Sequence, residues 1–179
     1  MSADSMTKLR ELIVYLAQRS TDDPRFGRVK LAKLLFFCDF AAYSEFGEPI
    51  TGSLYRKKAH GPLADEELLA LRDLQDAGAI EIKEVGVYMY KQKRIVALRD
   101  PNISWLTPDQ HSLVDEVLKR HWDDHATDLS NLSHSFPGWD LAEWDEEIPY
   151  NRVYISREGP TQADIDRGVE LVEQGLLPA

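Results

Sequence analysis

Apolar residues between positions 9 and 16 recur at intervals of three and four, which predicts an amphipathic first helix with one buried face. A second helix is predicted over residues 28–46, where apolar side chains cover nearly the whole circumference. A helix that is apolar on every side belongs at the centre of a fold, wrapped by other elements. Gly47 follows this helix, at a position where many helices end in a left-handed backbone conformation.

The pattern after residue 60 predicts a third helix and then a hairpin. Pro62 suits the first position of a helix because its missing N–H costs nothing there. Leu68, Leu71 and Leu74 would form the buried stripe of that helix. Apolar residues alternate over residues 80–98, which predicts a β-hairpin with basic residues near its tip.

The remaining segments are predicted to be helical. Thr107 begins a capping box with proline at the next position, so a helix starts there, and a short helix should cover residues 129–133. Thr161 begins a similar pattern, followed by apolar residues at helical spacing, which predicts a last helix.

This order of elements predicts a mainly helical α+β fold. A central buried helix would be wrapped by helices beside a small antiparallel sheet, an arrangement resembling an elaborated winged helix. We expect one domain over residues 1–155, and a helical appendage over residues 156–179 that packs on or beside it.

Composition indicates how many domains to expect and in which cellular compartment. The chain has 179 residues, 43% of them hydrophobic, which suits one globular domain without disulfide or metal support. The single cysteine, Cys38, lies in an apolar run, so we expect an inert thiol and a reducing cytoplasm. No segment has the length and apolarity of a signal peptide or membrane span.

The net charge of −10 disfavours nucleic acid as a partner, because binding to DNA or RNA depends on neutralising phosphates. Positive charge is nevertheless concentrated in two islands, residues 56–58 and 91–94. These islands are either solvated strand ends or a local docking patch for an acidic partner.

Signatures of catalysis are weak throughout the sequence. No Gly-rich phosphate loop follows a strand, and no Gly-x-Ser-x-Gly elbow is present. His121 and His125 would share a helix face and are weak candidates for a metal site, but the glutamate of a His-Glu-x-x-His protease is missing. We therefore predict no enzyme, no catalytic residue, no cofactor and no metal.

Three short motifs remain, and two of them have both a structural and a functional interpretation. The segment 60–62, His-Gly-Pro, is a structural turn, a partner contact or a small anion site near a helix start. The segment 47–52, Gly-Glu-Pro-Ile-Thr-Gly, is interpreted as an architectural turn. His134 and Trp139 either pair in the core or place an exposed aromatic at an interface.

Together these motifs resemble the Panacea domain of SocA-like antitoxins, also described as phage-associated GepA-like proteins. The resemblance covers roughly residues 6–155 and depends on four blocks: Lys30-Leu31-x-Lys33-Leu34-Leu35-Phe36-Phe37-x-Asp39, Gly47-x-Pro49-Ile50-Thr51-Gly52-x-x-Tyr55, Gly61-Pro62, and Leu132-Ser133-His134 with Trp139. The chain departs from the family at His60, where the family commonly has Tyr, and at Cys38, where Ala is more usual.

The resemblance implies a bacterial or prophage antitoxin that neutralises a cognate toxin by direct protein binding. A winged-helix DNA-binding regulator is the alternative, although acidic and leucine residues dominate the predicted third helix. Whether the protein forms a homo-oligomer stays open. Exposed segments would contact the toxin; the candidates are Tyr55, Arg56, Lys57, Lys58, His60, Gly61, Pro62, Lys91, Lys93, Arg94, Trp139 and Trp144. The structural motif would consist of Gly47, Pro49, Thr51, Gly52 and His134.

Overall fold

The computed structural model describes residues 3–87 and 90–176, of which most are helical. The helices are α1 (Ala3–Arg19), α2 (Arg28–Phe46), α3 (Glu67–Asp76), α4 (Pro108–Arg120), α5 (Ala126–His134), α6 (Pro137–Asp140) and α7 (Gln162–Glu173), with a 3₁₀ turn at Tyr150–Tyr154. The strands are β1 (Tyr55–Lys58), β2 (Gly61–Ala64), β3 (Ile80–Val87) and β4 (Tyr90–Ala97). The predicted mainly helical α+β fold is confirmed.

Helix α2 occupies the centre, as its apolar circumference predicts. It packs against α1, α4, α5, β2, β4 and the 3₁₀ turn. Most of its side chains are buried, but Val29 is 44% exposed. The helix ends at Gly47, whose φ of 77° is left-handed and whose N–H donates to the Tyr43 carbonyl.

The strands form two antiparallel pairs. Strands β3 and β4 pair from Ile80 opposite Ala97 to Val87 opposite Tyr90, which confirms the predicted hairpin. Residues 88 and 89 at its tip lie outside the described residues. Strands β1 and β2 form the other pair, in which Tyr55 faces Ala64.

The outer edge of β1 is also bonded, by a segment from far along the chain. The Lys57 N–H donates to the Glu146 carbonyl at 3.0 Å, and the Ile148 N–H donates to the Tyr55 carbonyl at 2.7 Å. Residues 145–148 therefore act as a third strand beside β1.

The predicted helix start at Pro62 is wrong, because Pro62 lies in β2 and α3 begins at Glu67. The N–H and C=O of Lys57 point toward residues 145–146, so Lys57 and Pro62 face each other as a pair without mutual hydrogen bonds. A proline at that position removes no donor that the sheet needs. The buried face of α3 consists of Glu67, Ala70, Leu71 and Leu74, so Leu68, predicted to be buried, lies beside that face and is 55% exposed.

The C-terminal helix α7 begins with the predicted capping box at Thr161. None of its described side chains is buried. Among the described residues, no helix combines the length and apolarity needed to cross a membrane.

Candidate partner-binding groove

An open groove of about 1130 Å³ lies along the first two turns of α2. Its walls are the loop before α2, the β1–β2 turn, the first residues of β4, the start of α5, and Trp144. We call this surface the basic groove. It brings together parts of the chain that are distant in sequence, and therefore could not be assembled from local patterns.

The basic groove has a charge opposite to that of the whole protein. Among the described residues that line it, seven are Lys or Arg and two are Asp or Glu, although the chain has a net charge of −10. The lining cations are Arg25, Arg28, Lys30, Lys33, Lys58, Lys91 and Lys93. Five of these cations form ion pairs with carboxylates of the chain, namely Arg25, Arg28, Lys30, Lys58 and Lys91. Lys33 and Lys93 form no ion pair within the described residues, so they are the charges left for an acidic ligand.

Two lysines of α2 are buried beneath the groove and have different roles. Lys30 forms an ion pair with Asp23 at 2.8 Å and donates to the carbonyls of Trp122 and Asp124 at 2.8 and 3.0 Å. These acceptors match the three donors of an ammonium group, so Lys30 holds two loops together.

Lys33 is 2% exposed, and its Nζ donates at 3.1 Å to the Pro62 carbonyl. Within the described part of the chain it makes no second hydrogen bond, so donors remain for a ligand. Burial lowers the pKa of Lys33 to about 8, an effect that the carboxylate of Glu67 opposes.

Glu67 is the acidic partner on the groove floor. Its Oε1 accepts from Arg28 Nε at 3.3 Å, while its buried Oε2 has no hydrogen-bond partner among the described residues. Burial raises the pKa of Glu67, and the nearby Arg28 and Lys33 counteract that change. The floor therefore offers both unused donors and an unused acceptor to a bound chain.

Gly61 is required where the β1–β2 turn meets this floor. Its φ is +101°, and a Cβ there would lie 2.2 Å from Ser133 Oγ and 2.5 Å from Lys33 Nζ. A side chain would therefore strain the backbone and displace the lysine.

Several predicted contact residues are instead part of the core. Tyr55 is 1% exposed, and its hydroxyl donates to Asp39 Oδ2 at 2.8 Å. Thr51 also donates to Asp39, from its hydroxyl at 2.5 Å and its N–H at 2.6 Å. The prediction of Tyr55 as a partner contact is therefore wrong, because its ring and hydroxyl are enclosed.

The network around Asp39 explains the architectural turn at residues 47–52. Gly47 and Gly52 have φ of 77° and 70°, and Pro49 lies near Gly52. These conformations bring Thr51 back over α2, where it meets the buried carboxyl. Burial raises the pKa of Asp39, against the effect of hydrogen bonds from the Thr51 hydroxyl and N–H, the Tyr55 hydroxyl and the Ile50 backbone.

His134 and Trp139 stack with ring centroids 4.1 Å apart, which confirms their pairing. Lys57 lies over the Trp139 ring at 4.3 Å and donates to the Ala142 carbonyl at 2.9 Å. Burial lowers the pKa of His134, and the charge of Lys33 lowers it further. This cluster joins β1 to the α5–α6 corner and is a structural joint.

Two arginines of the basic islands also bind within the chain. Arg56 forms an ion pair with Asp65 at 2.8 Å, and Arg94 donates to the Asp23 carbonyl at 2.8 Å. Pro62 is buried and its carbonyl accepts from Lys33, so its side chain is not an exposed contact. The predicted residues that do meet at the basic groove are Lys58, His60, Gly61, Lys91, Lys93 and Trp144.

The two candidate metal histidines do not share a helix. His121 follows α4, and its Nδ1 lies 2.7 Å from Asp124 Oδ2, while His125 is the N-cap of α5. The predicted helix-face spacing is therefore wrong at this site. The described ranges contain no group of three or more His, Cys, Asp or Glu side chains placed to hold a metal ion.

A family model described as "Antitoxin SocA-like, Panacea domain" matches residues 31–140. The match covers more than half of the 179 residues and extends from α2 to α6. The chain belongs to the SocA-like antitoxin family. This Panacea domain supplies most of the groove walls, and membership indicates an antitoxin-like, regulatory role. A search of the curated proteins and a search of the solved structures each found no match.

The deepest residues of this Panacea-domain groove were not among the predicted contacts. Lys33, Glu67 and Arg28 form its floor, but the apolar circumference of the helix that contains Lys33 predicts a core element. Lys30 and Lys33 were the available signal, because two charges inside a helix apolar on every side need buried partners.

Proposed function

We propose that the protein neutralises a cognate toxin by binding it directly, and that the basic groove is the contact surface. The observation that carries this proposal is the gathering of seven cations beside exposed apolar residues, in a chain with a net charge of −10. Family membership supports the antitoxin role. The binding would require no catalysis by this chain and would take place in the cytoplasm.

The groove has the features of a protein-binding surface. Trp144 is 67% exposed at its edge and Val29 is 44% exposed on its floor. Exposed tryptophan is a frequent anchor at protein interfaces. An acidic toxin segment would be steered by the rim cations, while Lys33 and Glu67 would receive polar groups of that segment.

The first experiment expresses the open reading frame adjacent to the gene together with this protein. We expect that this frame alone arrests growth, that co-expression restores growth, and that the two proteins co-purify. Rescue without a complex would contradict direct binding.

A second experiment tests the surface with the double variant Lys58→Glu/Lys93→Glu. Lys93 is exposed, and half-buried Lys58 pairs on the rim with the exposed Asp145. An exposed ion pair contributes little, so stability should change little. We expect toxin affinity to fall about tenfold or more by isothermal titration, because like charges would then meet. The matched control is Lys119→Glu, at an exposed position of α4 outside the groove. Equal toxin affinity for the wild type, the double variant and the control would rule out the groove as the contact surface.

A further inference from the structure

Helix α7 has an apolar stripe that no described residue of its own chain buries. Ile165, Val169, Val172 and Leu176 are 46%, 53%, 37% and 67% exposed. Ile165, Val169 and Val172 lie within one narrow face of the helix, and Leu176 follows the helix beyond the left-handed Gly175. A contiguous apolar stripe on an otherwise polar helix is typical of a docking surface.

The stripe has an acidic flank. Asp166, Glu170 and Glu173 lie on the same side of the apolar face, at 100° per residue. Arg167 is the one basic residue within Gln162–Glu173, and it pairs with Glu170 at 2.8 Å. Helix α7 therefore combines an apolar face with negative charge along one border.

The basic groove combines apolar surface with positive charge, which complements the apolar face and the acidic border of α7. Val29 and Trp144 supply exposed apolar surface. Lys93 is an exposed cation at the rim, and Lys58 lies there in an ion pair with Asp145. The 12 residues of α7 span roughly 18 Å at 1.5 Å per residue.

We propose that α7 of one copy docks in the basic groove of a second copy. Within the described residues α7 has no buried side chain, so its apolar stripe is open to a second molecule. Reciprocal docking uses the same two surfaces on both copies and closes into a two-fold dimer. This inference goes beyond toxin neutralisation and does not depend on it, but a dimer of this kind would cover the surface proposed for the toxin.

The test uses the full chain and two charge-reversed variants. The groove variant is Lys58→Glu/Lys93→Glu, and the tail variant is Glu170→Lys/Glu173→Lys. Each variant alone places like charges in both contacts, so we expect the wild type to be a dimer and each variant a monomer by light scattering at the same concentration. In an equimolar mixture opposite charges meet at both contacts, and the dimer should return.

Lys119→Glu, outside both surfaces, should dimerise like the wild type. Dimerisation also buries Trp144, so the tryptophan emission of the wild type should move to shorter wavelength as concentration rises, and Trp144→Phe should lose that change. A monomeric wild type, a variant that still dimerises, or a mixture that stays monomeric would each overturn the proposal. None of these outcomes depends on a toxin, so toxin neutralisation is tested separately.

Discussion

Replacing Lys33 with Met tests whether a charged lysine is buried beneath the groove. The pKa of Lys33 falls from its ordinary value of 10.5 to about 8 in the folded protein because burial disfavours the ammonium. Below pH 8 the group is charged in the folded and unfolded states, and the cost of burial is fully present. As the pH rises through 8, the folded protein releases the proton while the unfolded chain keeps it, so the free energy of unfolding rises with pH.

The size of this effect follows from the same two pKa values. A tenfold change in proton affinity corresponds to about 1.4 kcal/mol, so the wild type should gain about 2.5 kcal/mol over Lys33→Met between pH 7 and pH 10. At pH 7 the two proteins should differ little, because the variant removes a buried charge and also the hydrogen bond to Pro62. That bond is worth about 1.5–3 kcal/mol when its donor is charged.

The assay is urea unfolding followed by circular dichroism at pH 7, 8, 9 and 10. Subtracting the curve of the variant from that of the wild type cancels the other titrating groups. The matched control is Lys93→Met, the same substitution at an exposed lysine of the basic groove. If the Lys33→Met difference is constant from pH 7 to 10, the reasoning about a buried ammonium is refuted.

Two further substitutions test the structural joints around the groove. Gly61→Ala should lower the free energy of unfolding by about 2 kcal/mol or more, because its Cβ would meet Ser133 at 2.2 Å. The control is Gly159→Ala, whose Cβ would have no atom within 4 Å. Equal stability of the two variants would contradict the close approach at Gly61. Tyr55→Phe should lower the free energy of unfolding in urea by about 1.5–3 kcal/mol, because it removes a hydrogen-bond donor from the buried carboxyl of Asp39. An unchanged urea midpoint would show that this hydrogen bond contributes nothing to stability.

Local patterns predicted the elements whose limits depend on local chemistry. Helix α2 has the predicted bounds, because its apolar circumference and the left-handed Gly47 both act within a few residues. The capping boxes at Thr107 and Thr161 are formed as predicted, since each needs hydrogen bonds across only three positions.

Failures occurred where distant segments decide the outcome. Pro62 had the sequence context of a helix start, but β1 is held by residues 145–148 and binds Pro62 in a strand. The sequence around Tyr55 predicts a surface residue, but Tyr55 is buried because it contacts Asp39 and Tyr150, which belong to other elements. The pattern around Lys33 predicts a core helix, because the other walls of the basic groove come from segments distant in sequence.

The third strand beside β1 has a consequence for how the protein is synthesised. Arg56 and Asp145, which meet at 3.0 Å, are separated by 89 residues. At roughly 5–20 residues per second, about 5–20 s of translation separates the two. During that interval β1, which carries the groove residue Lys58, has one bonded edge and one bare edge. The basic groove, which Trp144 also lines, is therefore completed only after residues 144–148 have been synthesised.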